Sequence, residues 1–283
     1  MIYSLNSLYR VVGISKQAVA QQIREQENFE VNFFEIMVQV DIIRADHPGC
    51  GIEKMYNMLK PNFIGRDAFI DCLMSLGYRI KRNKNYKRTT IASKIYYPNL
   101  IKGIELNGPN QLWQSDITYF EVGTRFYYGV FIIDVYTKEI VGYCISDNMR
   151  AAANVKALKS AICVFGRVEI HHSDRGSQYI AKKYIAILEG IESRISMGLT
   201  AQDNAYAERI NQTIKNEYLA YRDIKDFQSL KRFVKKAVDN YNNKRFHNSL
   251  KPFRITPSDF RKLVINLPEQ DRPKVKIYTE VNT

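Results

Sequence analysis

The sequence predicts an α/β fold in which helices cover a mixed β-sheet, with small helical units before the sheet and a basic helical segment after it. Three observations support this prediction. Up to about residue 80, apolar residues recur every three or four positions, which indicates amphipathic helices. From about residue 110, polar and apolar residues alternate, which indicates strands. Hydrophobic residues make up 45% of the 283 residues, enough to bury a core.

The charge of the chain points to a polyanionic partner. There are 42 Lys and Arg residues against 29 Asp and Glu, a formal net charge of +13. Nucleic acid is the commonest partner of so basic a protein, although a membrane surface or solubility alone also accounts for such a charge. The four cysteines form no C-x-x-C pair, so we expect reduced thiols rather than a zinc site.

The first 30 residues are predicted to form a short helix-turn-helix-like unit. Leu5, Leu8 and Val12 share one helical face, and Ser15 can cap a second helix. The same spacing is typical of any small helical pair.

Residues 31–95 are predicted to form a helical DNA-binding domain with a basic linker. An amphipathic helix starts near Phe33 and ends at His47, and a second helical pair ends at Gly77. The helix that begins near Arg66 is the recognition element if this unit enters a major groove. A charge run follows, which is either a solvated segment or a phosphate-binding linker: Lys81, Arg82, Lys84, Lys87 and Arg88.

Residues 105–222 show the order of elements expected of an RNase-H-like catalytic core. Three strands form a meander and are followed by helix, strand, helix, strand and helix. The predicted elements cover residues 113–120, 126–134, 139–145, 151–162, 168–171, 178–189, 192–197 and 204–218. The remaining residues, 223–283, are predicted to be a basic C-terminal helical segment in which Thr256 and Pro257 start a helix.

Three acidic residues lie where such a fold can bring them together. Asp116 lies inside the first strand, Asp174 follows the fourth, and Glu208 lies early in the last core helix. Each also has an ordinary interpretation, namely a solvent-facing strand residue, a turn residue and a helix-dipole partner. Their conjunction favours a site for divalent metal ions, because two-metal phosphoryl transfer requires hard carboxylate ligands.

The segments around these acids resemble the Asp-Asp-Glu (DDE) transposases of the insertion-sequence-three family, which are relatives of retroviral integrases. The matching segments are residues 113–119 (WQSDITY), 172–179 (HSDRGSQY), 203–208 (DNAYAE) and 241–250 (YNNKRFHNSL), together with Thr256-Pro257. The resemblance covers nearly the whole chain. The chain resembles the catalytic frame of these elements.

The resemblance implies a transposase with Asp116, Asp174 and Glu208 as catalytic and metal-binding residues and Mg²⁺, or Mn²⁺, as the cofactor. It also implies binding of double-stranded DNA at terminal inverted repeats and at a target, strand cleavage and strand transfer. At least a dimer on paired ends, and cooperation with the product of an upstream reading frame, are further expectations. The alternatives are a catalytically silent DNA-binding regulator and a plain nuclease of the same fold.

Several residues near the acids and in the C-terminal segment are predicted to contact DNA. Helical spacing predicts that Glu208, Gln212 and Lys215 share one face, with Arg209 and Asn211 pointing aside or away. The further candidates for DNA contact are Arg175, Gln178, Lys244, Arg245 and His247.

Three other residues have a structural interpretation beside a functional one. Asp134 is either an accessory ligand or, as we expect, a turn cap. His172 is either a proton carrier or a packed or solvated histidine, and Trp113 is expected in the core. No run of eighteen apolar residues occurs, so we expect no membrane association and a bacterial cytoplasmic protein that joins the nucleoid when bound to DNA.

Overall fold

The computed structural model describes residues 5–80, 97–250 and 255–277. The chain divides into two compact units, Met1–Lys81 and Arg82–Thr283. No helix among the described residues combines the length and the apolar character that crossing a bilayer requires.

The described part of the first unit, residues 5–80, forms four helices: α1 (Leu5–Val12), α2 (Lys16–Asp46), α3 (Ile52–Leu59) and α4 (Arg66–Ser75). The predicted cap at Ser15 is confirmed, because its side chain accepts a hydrogen bond from the amide of Ala18 at 3.1 Å. Gly77 follows α4 with φ of +82°, a conformation that glycine adopts without strain. The core of this unit contains the buried side chains of Val40, Met55, Phe69 and Leu73.

The long helix α2 corrects the predicted division at residue 30. We expected separate helices before and after this position, but a single helix of 31 residues runs through it. No Gly or Pro lies between Lys16 and Asp46, and Gln, Glu and Ala in this stretch favour continued helix. Apolar periodicity therefore predicted which faces of the helix are apolar, but not that one helix runs unbroken through residue 30.

The second unit contains a five-stranded sheet. Its strands are β2 (Leu112–Val122), β3 (Arg125–Asp134), β4 (Ile140–Ser146), β5 (Ile170–Ser173) and β6 (Arg194–Met197). Their order across the sheet is β4-β3-β2-β5-β6. The first three pair antiparallel and form the predicted meander, whereas β5 and β6 are parallel to β2 and to each other. The mixed sheet confirms the predicted fold class.

Helices cover both faces of this sheet, as the period-two alternation along β2 requires. Trp113 and Ile117 face a core that contains α5 (Ala151–Phe165) and α6 (Lys182–Gly190). Phe120 and Val122 face the other core, formed with α7 (Ala205–Thr213) and α8 (Phe227–Asn243). Trp113 is fully buried, so its predicted place in the core is confirmed.

The last predicted core helix is composite. A short 3₁₀ turn, Ala201–Asn204, precedes α7, and a π-helical segment, Ile214–Leu219, follows it. The wider π turn changes the direction of side chains after Thr213 relative to a regular α-helix. This local geometry affects which residues face the sheet near the carboxylates.

The C-terminal segment packs into the second unit. Leu230, Val234 and Ala237 of α8 are buried in the same core as β3 and β4. The helix α9 (Pro257–Ile265) begins at Thr256, whose side chain accepts from the amide of Asp259, so the predicted helix start is confirmed. Two short strands that no sequence pattern indicated, β1 (Glu105–Leu106) and β7 (Val275–Lys276), pair antiparallel.

Candidate active site

Strand register brings the first two acids side by side. In the parallel pair of β2 and β5, Ser115 lies opposite Ser173, so the next residues along the two strands are Asp116 and Asp174. Because neighbouring strands lie about 4.8 Å apart, the two acids are close to each other, near the carboxyl end of β5. Asp174 begins the loop after this strand, and its Oδ1 accepts a hydrogen bond from the amide of Gly176 at 3.0 Å.

The third acid comes from α7, which packs on β2 and β3. Glu208 lies in the first turn of this helix and is half-buried. Three residues further along, Asn211 Nδ2 donates to Asp116 Oδ2 at 2.8 Å. This hydrogen bond ties the helix that carries Glu208 to the strand that carries Asp116.

The three acids interact electrostatically. Burial, followed by the negative charge of Asp174, raises the pKa of Asp116 to about 8, and Glu208 adds to the shift. Burial and then the charge of Asp174 also raise the pKa of Glu208. Like charges held this close destabilise one another unless a cation compensates them.

The chemistry of these side chains fits a divalent cation, although their arrangement is not a closed metal centre. Within the described ranges, no three His, Cys, Asp or Glu side chains are grouped as ligands of one ion. The fit rests on hard oxygen donors, on their mutual repulsion, and on the buried Asn211 Oδ1, which has no hydrogen-bond partner among the described residues. Any metal held here would relieve the repulsion between Asp116, Asp174 and Glu208.

Lys215 and Asn211 both lie close to the carboxylates. For Asn211, the predicted direction of the side chain was wrong. Lys215 Nζ is 4.2 Å from the ring centroid of Tyr119, and burial lowers its pKa to about 8 while the charge of Asp116 opposes that shift. Gln212 is exposed. Asn211, which we expected to point away, contacts Asp116, because a residue three positions after Glu208 still lies within about 60° of it around a helix.

Two neighbouring residues have structural contacts. Asp134 is fully buried, and its Oδ1 accepts from the amide of Thr137 at 2.9 Å, which confirms the turn cap. His172 is buried in β5 with its Nδ1 2.8 Å from Ser196 Oγ, so it is packed rather than solvated. Burial lowers the pKa of His172 to about 4.

The predicted DNA-contact residues of the second unit differ in accessibility. Lys244 is exposed, and Arg175 is half-buried. Gln178 donates to the carbonyl of Met149 at 3.1 Å, and His247 Nδ1 lies 2.8 Å from Ser249 Oγ.

Arg245 corrects the prediction made for it. It is buried, donates through Nε and Nη2 to the two carboxylate oxygens of Glu217 at 3.0 and 3.1 Å, and lies over the ring of Tyr241. This buried bidentate pair engages the guanidinium, so Arg245 is not among the residues that we propose to contact DNA.

In the first unit, Arg66 begins α4 as predicted, is exposed, and bonds Asp67 at 2.9 Å. The predicted basic linker lies outside the described residues, and with it Lys81, Arg82, Lys84, Lys87 and Arg88.

Polar residues that the sequence patterns did not indicate connect β2 to the start of α7. Gln114, Asn204 and Asn211 are all buried and make hydrogen bonds between the two elements. Gln114 precedes Asp116 by two residues on a strand, and Asn211 follows Glu208 by three on a helix. Residues at these spacings share a face, so the spacing could have indicated that both lie near the acids.

Comparison with known proteins agrees with this architecture. Two family models, each described as Integrase core domain, match residues 107–202 and 189–257. The Shigella sonnei protein named "Insertion element IS600 uncharacterized 31 kDa protein" is 32% identical over 225 residues, 75% of this chain and 80% of that protein. The "Transposase for insertion sequence element IS629" of the same organism is 36% identical over 140 residues; this match covers 48% of this chain and about half, 47%, of that relative.

Among solved structures, a chain of the simian T-cell lymphotropic virus intasome in complex with PP2A regulatory subunit B56 gamma shares the fold. The TM-score is 0.51 at 17% identity, with 82% of this chain and 77% of that chain covered.

The fold and the matched family models define an integrase-type catalytic core on an RNase-H-like sheet. The chain belongs to the DDE transposases of the insertion-sequence-three family. It is therefore a DDE-type polynucleotidyl transferase of DNA transposition, as the sequence motifs indicated.

Proposed function

We propose that this protein binds the terminal inverted repeats of a mobile element, cleaves the DNA strand there, and joins the resulting 3′ end to target DNA. Asp116, Asp174 and Glu208 are the proposed catalytic and metal-binding residues. The observation that carries this proposal is the convergence of the three acids from β2, the end of β5 and α7, with mutual repulsion that calls for a cation.

The proposed cofactor is Mg²⁺, which Mn²⁺ can replace. Asp116, Asp174 and Glu208 would hold the divalent cation, which would help to activate the attacking oxygen and to stabilise charge on the scissile phosphate. In cleavage, a water oxygen attacks phosphorus and the bond to the 3′ oxygen breaks, which releases a 3′-hydroxyl. In strand transfer, that hydroxyl attacks a target phosphodiester and one target 3′-hydroxyl leaves, so the number of phosphodiester bonds is unchanged.

The protein groups around the acids have distinct proposed roles. Asn211 orients the Asp116 carboxylate by its hydrogen bond. Lys215 faces the same region and supplies positive charge for the DNA backbone. Arg175, Gln178, Gln212, Lys244 and His247 remain candidates for further backbone contacts, with Arg66 in the first unit and the basic residues between 81 and 88.

The proposed assembly is at least a dimer that holds two element ends, and the product of an upstream reading frame is a further proposed partner. Incubation of the protein with the element's own termini and Mg²⁺, with products resolved strand by strand, tests the function. We expect a nick at the 3′ end and a joined product. Cleavage without joining would indicate a nuclease, and binding without either product would indicate a regulator.

Lys215→Ala is expected to weaken binding of a terminal duplex regardless of sequence and to reduce the slope of log affinity against log salt by about one unit, the effect of losing one phosphate contact. The affinity is measured over a range of salt concentrations. Lys235→Ala, which removes an exposed cation on α8, is the matched control and should retain the wild-type slope. Parallel plots for Lys215→Ala and wild type would place the DNA path elsewhere.

Deletion of residues 1–80 is expected to reduce discrimination between terminal and random DNA more than strand transfer on precleaved ends. Residues 5–80 contain eight Lys and Arg against nine Asp and Glu, a net charge of −1. The unit therefore contributes little general attraction for phosphate, and the salt slope should change by less than about one unit. Competition binding with random DNA checks this expectation; unchanged discrimination in the shortened chain would place recognition in the second unit.

A further inference from the structure

The helix that carries Glu208 lacks a side-chain cap of its own. Asn204 occupies the N-cap position of α7, but its side chain makes no capping hydrogen bond. Instead, Gln114 reaches across from β2: its Oε1 accepts from the amide of Tyr206, and its Nε2 donates to the carbonyl of Asp203, both at 3.1 Å. The amide of Tyr206 is one of the first-turn groups that a helix cannot satisfy internally.

The same strand contacts α7 at two further points. Asn204 Nδ2 donates to the carbonyl of Ser115 at 2.9 Å. Asn211 Nδ2 donates to Asp116 Oδ2 at 2.8 Å. Each contact joins an element of the candidate site to its neighbour through a buried polar group.

The spacing of these contacts places Glu208 between two attachment points. Tyr206 and Asn211 are separated by about 7.5 Å along a helix axis. Gln114 and Asp116, which they contact, are separated by about 6.6 Å along a strand. Because these separations are similar, the two contacts hold the helix alongside the strand. Glu208 lies between the two contacts along the helix.

We propose that Gln114 is a positioning residue, which holds the start of α7 so that the Glu208 carboxylate stays beside Asp116 and Asp174. The inference rests on the proposed function of these three acids. Gln114 itself does not touch the reacting atoms; it acts through the backbone of Asp203 and Tyr206.

The contacts of Gln114 restrain the start of the helix at the end nearest Glu208. Gln114 is 1% exposed, so water has little access to its amide. Removal of this amide takes away the side-chain partner of the part-buried Tyr206 N–H and of the buried Asp203 carbonyl, at the end of the helix nearest Glu208.

Gln114→Met tests the proposal because Met retains the length of the side chain but makes neither hydrogen bond. The matched control is Asn242→Leu. Asn242 is also buried, and its amide bonds both the N–H and the carbonyl of Ile140 at 2.9 Å. It joins α8 to β4, two elements that carry none of the three acids.

We expect both full-length variants to lose a similar amount of thermal stability. Mn²⁺ affinity, measured by calorimetry, should weaken about 10- to 100-fold in Gln114→Met, the range typical for groups that orient metal ligands. Its kcat for strand transfer should fall by a similar factor, with KM for DNA within about two-fold of wild type. Asn242→Leu should retain wild-type Mn²⁺ affinity and kcat.

The proposal is overturned if Gln114→Met binds Mn²⁺ like the wild type, or if Asn242→Leu loses as much Mn²⁺ affinity and kcat. If Gln114→Met does not fold, Gln114→Asn, which is too short to reach both backbone groups, is held to the same criteria. A wild-type protein that neither binds Mn²⁺ nor joins DNA would instead refute the proposed function. The two failures are therefore distinguishable.

Discussion

Asp116→Asn, Asp174→Asn and Glu208→Gln are each expected to reduce strand cleavage and strand transfer by at least about 10³-fold, the scale of losing a main source of transition-state charge stabilisation. Each substitution retains the shape of the side chain but removes an anionic oxygen ligand. Turnover on a labelled terminal duplex with Mg²⁺ measures the loss. Strand transfer near the wild-type rate in any of the three variants would remove that residue from the site.

Folding of these variants separates a chemical loss from a structural one. Burial and two neighbouring acids disfavour the negative charge of Asp116, and Asp116→Asn removes that charge. The melting temperature of this variant in a chelator should therefore equal or exceed that of the wild type. Asp223→Asn is the matched control, since this exposed carboxylate forms an ion pair with Lys225 at 3.3 Å and should leave turnover unchanged. A large loss of stability in Asp116→Asn would mean that the carboxylate has a structural role.

Arg261→Met is expected to destabilise the second unit by about 3–5 kcal/mol, the usual cost of removing one partner from a buried ion pair. Arg261 extends from α9 to two buried acids: it donates to Asp134 at 2.9 Å and also donates to Glu139. Its guanidinium also lies 4.6 Å from the ring centroid of Phe165. Loss of the Arg261 cation leaves the carboxylates of Asp134 and Glu139 buried without this positive partner. Because they stay buried, water does not replace most of the solvation that they lose on folding.

Urea unfolding followed by the fluorescence of Trp113, the single tryptophan, measures this effect. Trp113 and Arg261 both donate to Asn110 Oδ1, so the reporter lies in the same network. Lys262→Met is the control, because its pair with Asp259 is exposed and should contribute less than about 1 kcal/mol. A loss below about 1 kcal/mol in Arg261→Met would show that water or repacking compensates the two acids.

The fold class and the segments around the three acids were predictable because they depend on local patterns. Alternation along residues 113–120 predicts a strand, and Thr256-Pro257 predicts a helix start. Both signals act over a few residues, and both elements occur in the structure. The continuity of α2 was not predicted, because two apolar faces on one helix give the same pattern as two separate helices.

The accessibility of charged residues was decided by packing alone. Arg245 and Lys244 are adjacent in a segment that mixes cations with aromatic residues, and both were predicted to contact DNA. The structure buries Arg245 against Glu217, 28 residues earlier, and leaves Lys244 exposed. Spacing within the C-terminal segment contains no information about that distant partner.

The sequence by itself determined the family, the sheet-and-helix order and the three candidate acids, because motif residues and periodicity are local properties of the chain. Only the tertiary structure decided how the acids are held. The register that sets Ser115 opposite Ser173, and the reach of Gln114 and Asn211 between β2 and α7, join residues that are 58 to 95 positions apart. Such contacts arise from the packing of a helix on a strand, where buried polar groups must find partners in whichever element lies beside them.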